Sequence, residues 1–307
     1  MKKIMMTILA VLTASTVLMA QEKKEWEGPK VGDVSIGITF NPVSLASQLK
    51  IHPKAGSLAG DDGAAQNIAL KKQMFIMSQD PVAAFRLKYR MAEKWNLRAS
   101  LGFSGSHINY TEYVRDDAAF ALNPATENKV ADVVKSDLIS GNVALGAEFV
   151  TGKKLKFVMG FNILYALAGG KLNFNYGNVL NAENQVPSTF AYTAWTTLNP
   201  DDKAGAAQGI AYARPTETYN SGICHGIGLQ MDMGIEWFFQ DRISLGAAVT
   251  FTPVMFSFQP QTYTKLEGYS SITGKVENYN NLVSPGSWAC LYGTENLGFQ
   301  VSLNYYF

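Results

Sequence analysis

Seven charged residues sit at alternate positions in otherwise apolar stretches: Arg86, Lys88 and Arg90, then Arg98, Glu148, Asp232 and Glu236. Alternation puts every second side chain on one face of a strand, so all seven share a face that the large apolar residues do not. Four cations and three carboxylates of one parity can do two things in a narrow interior. They can pair and fill it, because an unpaired buried ion is costly. They can also line a selective constriction for a small anion or a proton. The sequence leaves both open and favours the filled, closed interior.

Other chemistry is thinly represented. The three histidines are His52, His107 and His225, in the strings IHP, SHIN and CHGIG. An enzyme that cuts or transfers acyl chains needs a positioned His with a Ser or another partner, and none of these strings has a His-x-Ser arrangement. The sequence therefore points away from an enzyme, with lipid A modification as a remaining alternative. No clustered ligand spacing suggests a metal, and no motif calls for a cofactor. Cys224 and Cys290 fall on strands separated by a third strand. Neighbouring strands lie nearly 5 Å apart, so a disulfide between the two strains the usual reach; the bond stays open as an alternative to two thiols.

The elements that carry these residues are strands. Apolar residues alternate over Val34–Phe40, then over 83–91, 97–103, 139–149, 155–167, 223–237, 243–251 and 297–307. The intervening face is rich in Gly, Ala, Ser and Asn rather than in the Lys and Glu of a solvated surface. Small polar residues suit a narrow lumen, and eight strands give a barrel that side chains can fill. Short links at 92–96, 151–154 and 239–242 alternate with long ones over 47–78, 114–135, 178–218 and 259–286. Such asymmetry fits tight periplasmic turns and long extracellular loops. The expected fold is all-β: an eight-stranded antiparallel up-and-down transmembrane β-barrel, preceded by a cleavable signal peptide.

Within that frame, Gly169 and Gly170 interrupt the fifth strand, and the apolar parity changes afterwards to Leu172, Phe174 and Tyr176. A β-bulge there would cause the change. Aromatics gather near the short turns (Trp95, Phe149, Phe157, Trp237, Phe239, Tyr305, Phe307) and near the long links (Tyr110, Phe174, Tyr176, Tyr219, Phe256, Phe258, Trp288). Tyr and Trp favour membrane interfaces. The longest link carries Tyr192, Trp195, Asp201, Asp202 and Tyr212, a mixture suited to gripping a sugar or a protein. The stretch 64–77 reads either as a short helix or as an upward extension of the second strand.

The N-terminus joins a basic start, Met1-Lys2-Lys3, to an uncharged apolar run ending at Ala20, the pattern of a secretory signal peptide. The expected division is a signal peptide over 1–20, a short periplasmic segment over 21–32 and the barrel over 33–307. Without Lys2 and Lys3 the 26 cations become 24 against 25 acids, a net charge of −1. Nucleic-acid binding, which favours a basic stripe, is excluded.

The signal peptide, the eight alternating segments and the ending VSLNYYF together resemble the small eight-stranded outer-membrane β-barrel proteins, especially those of the Bacteroidota type. That resemblance implies residence in the outer membrane of a Gram-negative cell, with both termini periplasmic and with lipid and lipopolysaccharide around the barrel. It further implies that Phe299, Val301, Leu303, Tyr305 and Phe307 form the signal read by the barrel-assembly machinery. The expected role is structural, adhesive or accessory binding through the long loops to an unknown ligand or protein. A narrow path for a small solute is the alternative.

Overall fold

The computed structural model describes residues 28–40, 83–189, 196–197, 203–293 and 297–307. Along the chain run β1 (Val34–Phe40), β2 (Ala83–Ala92), β3 (Trp95–Arg115), the short helix α1 (Asp117–Leu122), β4 (Lys129–Gly152), β5 (Leu155–Asn175), β6 (Thr196–Thr197), the helix α2 (Lys203–Ala207), β7 (Ile210–Asn220), β8 (Cys224–Phe238), β9 (Ile243–Gln259), β10 (Thr262–Ser270), β11 (Val276–Ser284), β12 (Ser287–Tyr292) and β13 (Leu297–Tyr306).

Eight of these strands close on themselves. Antiparallel ladders link β1 to β2, then β3, β4, β5, β8, β9 and β13, and β13 returns to β1 with Ile38 opposite Leu303. Closure leaves no unpaired edge in the ring, the condition a sheet must meet to cross hydrocarbon. The links β2–β3, β4–β5 and β8–β9 are tight, while 41–82, 116–128, 176–223 and 260–296 are long, as the sequence asymmetry requires.

The outer wall explains the alternation. Ile36, Leu87, Leu101, Leu145, Ile163, Ile235, Val249 and Leu303, one from each strand of the ring, are all exposed. Water-facing monomers rarely carry a contiguous apolar surface of this extent; a closed barrel with an apolar band is built to face lipid. Trp95 lies edge-on to Phe149 at 5.5 Å, Trp237 stands 5.9 Å from Phe239, and Tyr305 stands 5.0 Å from Phe307. These pairs form an aromatic girdle at the short-turn end.

The expected bulge at Gly169–Gly170 is absent. Across β4 and β5 the register runs unbroken, with Ile139 opposite Gly169, Leu138 opposite Gly170 and Asp137 opposite Lys171. Even-numbered residues of β5 point inward throughout, and Leu172 and Phe174 are buried. What changes is the surroundings. Below Gly169 the outside is apolar and the inside polar; above it, Lys171, Asn173 and Asn175 face out while Leu172 and Phe174 join Val134 and Leu138 in an internal cluster. The glycine pair also marks a change of partner: β5 pairs with β8 as far as Ala168 and with β7 from Lys171. Tyr110 and Tyr176, expected in an interfacial belt, pack against this same internal cluster, and Phe174 belongs to it.

Among the described residues, strand structure continues above the band and into two of the long links, 176–223 and 260–296. β3 and β4 pair from the short turn up to Arg115 opposite Lys129. β7, β10 and β11 form a three-stranded blade beside the upper end of β5, with Ile210, Ala213, Leu266 and Tyr279 as its own core. β12 folds back along the upper part of β9, with Cys290 opposite Phe256.

Candidate functional site

A chain of ion pairs crosses the lumen. Asp232 on β8 meets the Arg98 guanidinium of β3, whose Nη1 lies 2.7 Å from Asp232 Oδ2 and 3.2 Å from Glu148 Oε2. Glu148 Oε1 on β4 lies 3.0 Å from Lys88 Nζ on β2, and Lys88 reaches Glu236 Oε2 at 3.2 Å. The chain so begins and ends on β8. In the ring order β1, β2, β3, β4, β5, β8, β9, β13, strands β2 and β8 are diametrically opposed. The Lys88–Glu236 contact therefore crosses the whole interior, and all five residues are buried.

Such a chain persists only where the remaining hydrogen-bonding capacity is met. Arg98 Nε donates to Asn162 Oδ1 at 2.7 Å, and Asn96 donates to Glu148 at 2.9 Å. Glu236 Oε1 accepts from Ser244 Oγ at 2.5 Å, Asn304 Nδ2 at 2.9 Å and the Tyr306 hydroxyl at 3.0 Å. Register makes the room. Arg98 lies opposite Gly146, and Glu148 lies opposite Gly160. The guanidinium lies where a Cβ on Gly160 would have to be. Large charged groups sit beside missing side chains, which is how a narrow barrel accommodates them.

Of the seven residues read from the sequence, Lys88, Arg98, Glu148, Asp232 and Glu236 come together. Arg86, one inward step toward the long-link end, instead donates from Nη2 to Gln300 Oε1 at 2.7 Å. Arg90 is half-buried at the short-turn end and donates to the Glu93 carbonyl at 2.5 Å. Lys156 was missed: it is buried opposite Glu236 and stands over the Phe238 ring, 4.6 Å from its centre. Its even parity on β5, shared with Asn162, is the signal that finds it. Tyr306 was hidden by the regularity of its exposed neighbours Tyr305 and Phe307.

The outward parity of Phe299, Leu303, Tyr305 and Phe307 is as read, with Val301 half-buried. The Phe307 N–H donates to the Val34 carbonyl at 2.9 Å, extending the β1–β13 ladder. The disulfide alternative fails: Cys224 is a buried thiol, and Cys290 is a half-buried thiol on β12. The reason is topological, since β12 pairs along β9 while Cys224 opens β8 in a cluster with Ala166, Ala168 and Met255. Tyr212 is exposed on β7, opposite Thr197. Tyr192, Trp195, Asp201, Asp202, His52, the stretch 64–77 and the expected signal peptide all lie outside the described residues.

His107 and His225 stand outside the barrel, just above the apolar band. His107 Nδ1 pairs with Asp137 and its Nε2 lies 3.1 Å from Asn109 Nδ2, while His225 Nδ1 lies 2.7 Å from the Tyr165 hydroxyl. Neither arrangement sets a His against a serine.

Above the band, two polar nodes hold the folded-over strands. Asp117, in the first turn of α1, accepts from the Ser188 N–H at 2.6 Å, the Ser188 hydroxyl at 2.7 Å, Asn184 at 3.0 Å and Arg115 at 3.0 Å. Burial opposes its ionisation, but these donors outweigh burial and hold the carboxyl below the usual aspartate value. Arg214 on β7 lies over the Tyr176 ring at 4.1 Å, with Nε 2.6 Å from Glu267 on β10 and Nη1 3.0 Å from the Asn178 carbonyl. The blade is thereby tied to the top of the barrel.

No protein-family model matches the chain, and no curated protein matches it. Among solved structures it is similar to the outer membrane protein OprG from Pseudomonas aeruginosa, at 12% identity over 92% of this chain and 99% of that one, with a TM-score of 0.33. It is similar to Ail, the attachment invasion locus protein of Yersinia pestis, at 9% identity over 91% and 100% of the two chains, with a TM-score of 0.30. The third is a major outer membrane protein from Thermus thermophilus, at 10% identity over 91% and 100%, with a TM-score of 0.34.

Proposed function

We propose that this protein is an outer-membrane barrel with a closed lumen, which works by holding a folded extracellular blade against a ligand or partner. Residues 1–20 are a signal peptide removed on export, 21–32 a short periplasmic segment and 33–307 the barrel. The short turns and both termini face the periplasm, and lipid with lipopolysaccharide surrounds the apolar band. The barrel-assembly machinery reads the outward residues of β13.

One observation carries the reading. The interior is spanned by the Lys88–Glu236 contact while, above the band, β7, β10 and β11 have a hydrophobic core and an internal Arg214–Glu267 pair. A loop that only joins two strands needs neither. Recognition concentrates on segments held by a rigid scaffold, and the outer strand β11 exposes Leu282 and Val283. The test excises 262–284, which leaves the ring ladders intact. In intact cells, partners cross-linked to the full protein should disappear while the shortened barrel still assembles. Planar bilayers should show no steady ion-selective channels from the full protein. Steady channels, or an unchanged cross-linking pattern after the excision, would overturn the reading.

A further inference from the structure

We infer that the cavity beside Arg86, one step above the ion chain, binds a single small monovalent anion of the size of chloride or one carboxylate group. The first ground is charge. Among the described residues, the membrane-level interior buries four cations, Arg86, Lys88, Arg98 and Lys156, against three carboxylates, Glu148, Asp232 and Glu236. Lys88 and Arg98 engage all three acids between them. Arg86 makes no direct ion pair among the described residues, and the nearest carboxylate that feels its charge, Glu148, is already held by Lys88 and Arg98. Its Nη2 is answered by a neutral amide, and its buried Nε meets no acceptor. A guanidinium does not deprotonate in proteins, so Arg86 cannot escape the cost of burial by becoming neutral. An unpaired N–H and a surplus charge that no direct ion pair answers are both costly in a low-dielectric interior.

The second ground is space. A small, partly open cavity, with room for a few atoms rather than for a large ligand, is lined by Arg86, Thr39, Ser100, Asn142, Gln230 and Gln300. The hydroxyls and amides there can turn donors toward a bound anion, beside an apolar wall that includes Leu164 and Ala144. Arg98 reaches the same cavity, but its fork is already taken up by Asp232, Glu148 and Asn162. An uncharged acceptor would satisfy Nε without answering the charge; an anion answers both. The surplus is one charge, and Glu148 and Asp232 lie a step below, so a second negative charge on the ligand would be repelled. The site needs no open pore and goes beyond the binding role assigned to the blade.

The probe is chloride, followed by the width of its 35Cl resonance over the full protein in detergent, with bromide as competitor. The wild-type protein should broaden the line, bromide should reverse the broadening, and Arg86→Gln should reduce it to that of protein-free micelles. Lys153→Gln, an exposed turn residue, should leave it unchanged. Broadening that survives Arg86→Gln in a folded barrel, or none in the wild type, would overturn the proposal. If Arg86→Gln fails to fold, anomalous scattering from bromide-soaked wild-type crystals decides. A peak within hydrogen-bond reach of Arg86 Nε supports the site, and a lumen without one refutes it.

Discussion

Lys88 Nζ lies 3.2 Å from Glu236 Oε2, although their strands stand opposite each other across the ring. Both groups are also held by others: Lys88 by Glu148, and Glu236 by Ser244, Asn304 and Tyr306. Glu236→Ala leaves four donors without their shared acceptor. Removing one member of a buried pair costs about 3–5 kcal/mol, whereas replacing a whole pair with apolar groups is often neutral. The expected result is a marked loss for Glu236→Ala and for Lys88→Met, and a smaller loss for the two together than their sum. Urea unfolding in lipid vesicles measures all three. A Glu236→Ala barrel as stable as the wild type would refute the spanning contact.

Gly160 tests the packing rather than the charge. Its missing Cβ is where the Arg98 guanidinium lies. Gly160→Ala must displace that fork from Asp232 and Glu148, and overpacking a tight interior costs about 1–3 kcal/mol. Gly141→Ala is the comparison, because a Cβ there meets only the Gly102 carbonyl at 3.5 Å and Leu167 Cδ1 at 3.8 Å. Gly160→Ala should lower the unfolding midpoint and Gly141→Ala should not. Equal midpoints would place Arg98 elsewhere.

Asp117 makes the outer assembly sensitive to acid. Its carboxyl is lowered from the ordinary 3.8 by the Ser188, Asn184 and Arg115 donors, which outweigh its burial. A depressed folded value gives a contribution fully present above the unfolded value and lost as the pH falls through the folded one. Hydrogen exchange at the Ser188 N–H should therefore be slow at pH 6 and accelerate below about pH 3.8, beyond the intrinsic pH trend. Asp117→Asn should show fast exchange at both. Protection of Ser188 that ignores both pH and the substitution would rule the node out.

The two thiols differ in access. Cys224 is 1% exposed, and Cys290 is half-buried on β12. Maleimide should label Cys290 in the folded barrel and reach Cys224 only after unfolding. Non-reducing mass analysis should find neither in a disulfide. Equal labelling rates in the folded state would contradict the buried placement of Cys224.

The ring was legible because period-two alternation writes both faces of a strand into the sequence. The shared inward face of Arg86, Lys88, Arg98, Glu148, Asp232 and Glu236 followed directly. Gly169–Gly170 misled because a parity change has two causes, an inserted residue or an inverted environment, and composition cannot separate them. The unbroken β4–β5 register decides for the second. The blade was illegible for a related reason: above the band both faces of β7 and β10 mix polar and apolar residues, so Arg214 and Glu267 carry no period. In the lumen, parity found the charges, but partner choice depends on height. Arg86 and Lys88 are two residues apart, and only Lys88 lies level with an acid.

Phe307 separates folding from assembly. Its side chain is exposed and contacts Tyr305, while its backbone N–H alone extends the ladder to Val34. Phe307→Ser keeps that N–H and removes the ring. Little lumen packing is lost, so the purified chain should refold into detergent with an unchanged midpoint. If the outward aromatics of β13 address the chain to the assembly machinery, the same substitution should sharply reduce the folded barrel recovered from outer membranes. Tyr306→Phe should do the reverse. It removes the hydroxyl that donates to Glu236 at 3.0 Å, so stability should fall by about 1–3 kcal/mol while delivery stays normal. Normal delivery of Phe307→Ser would confine that aromatic to the girdle and deny it a role in assembly.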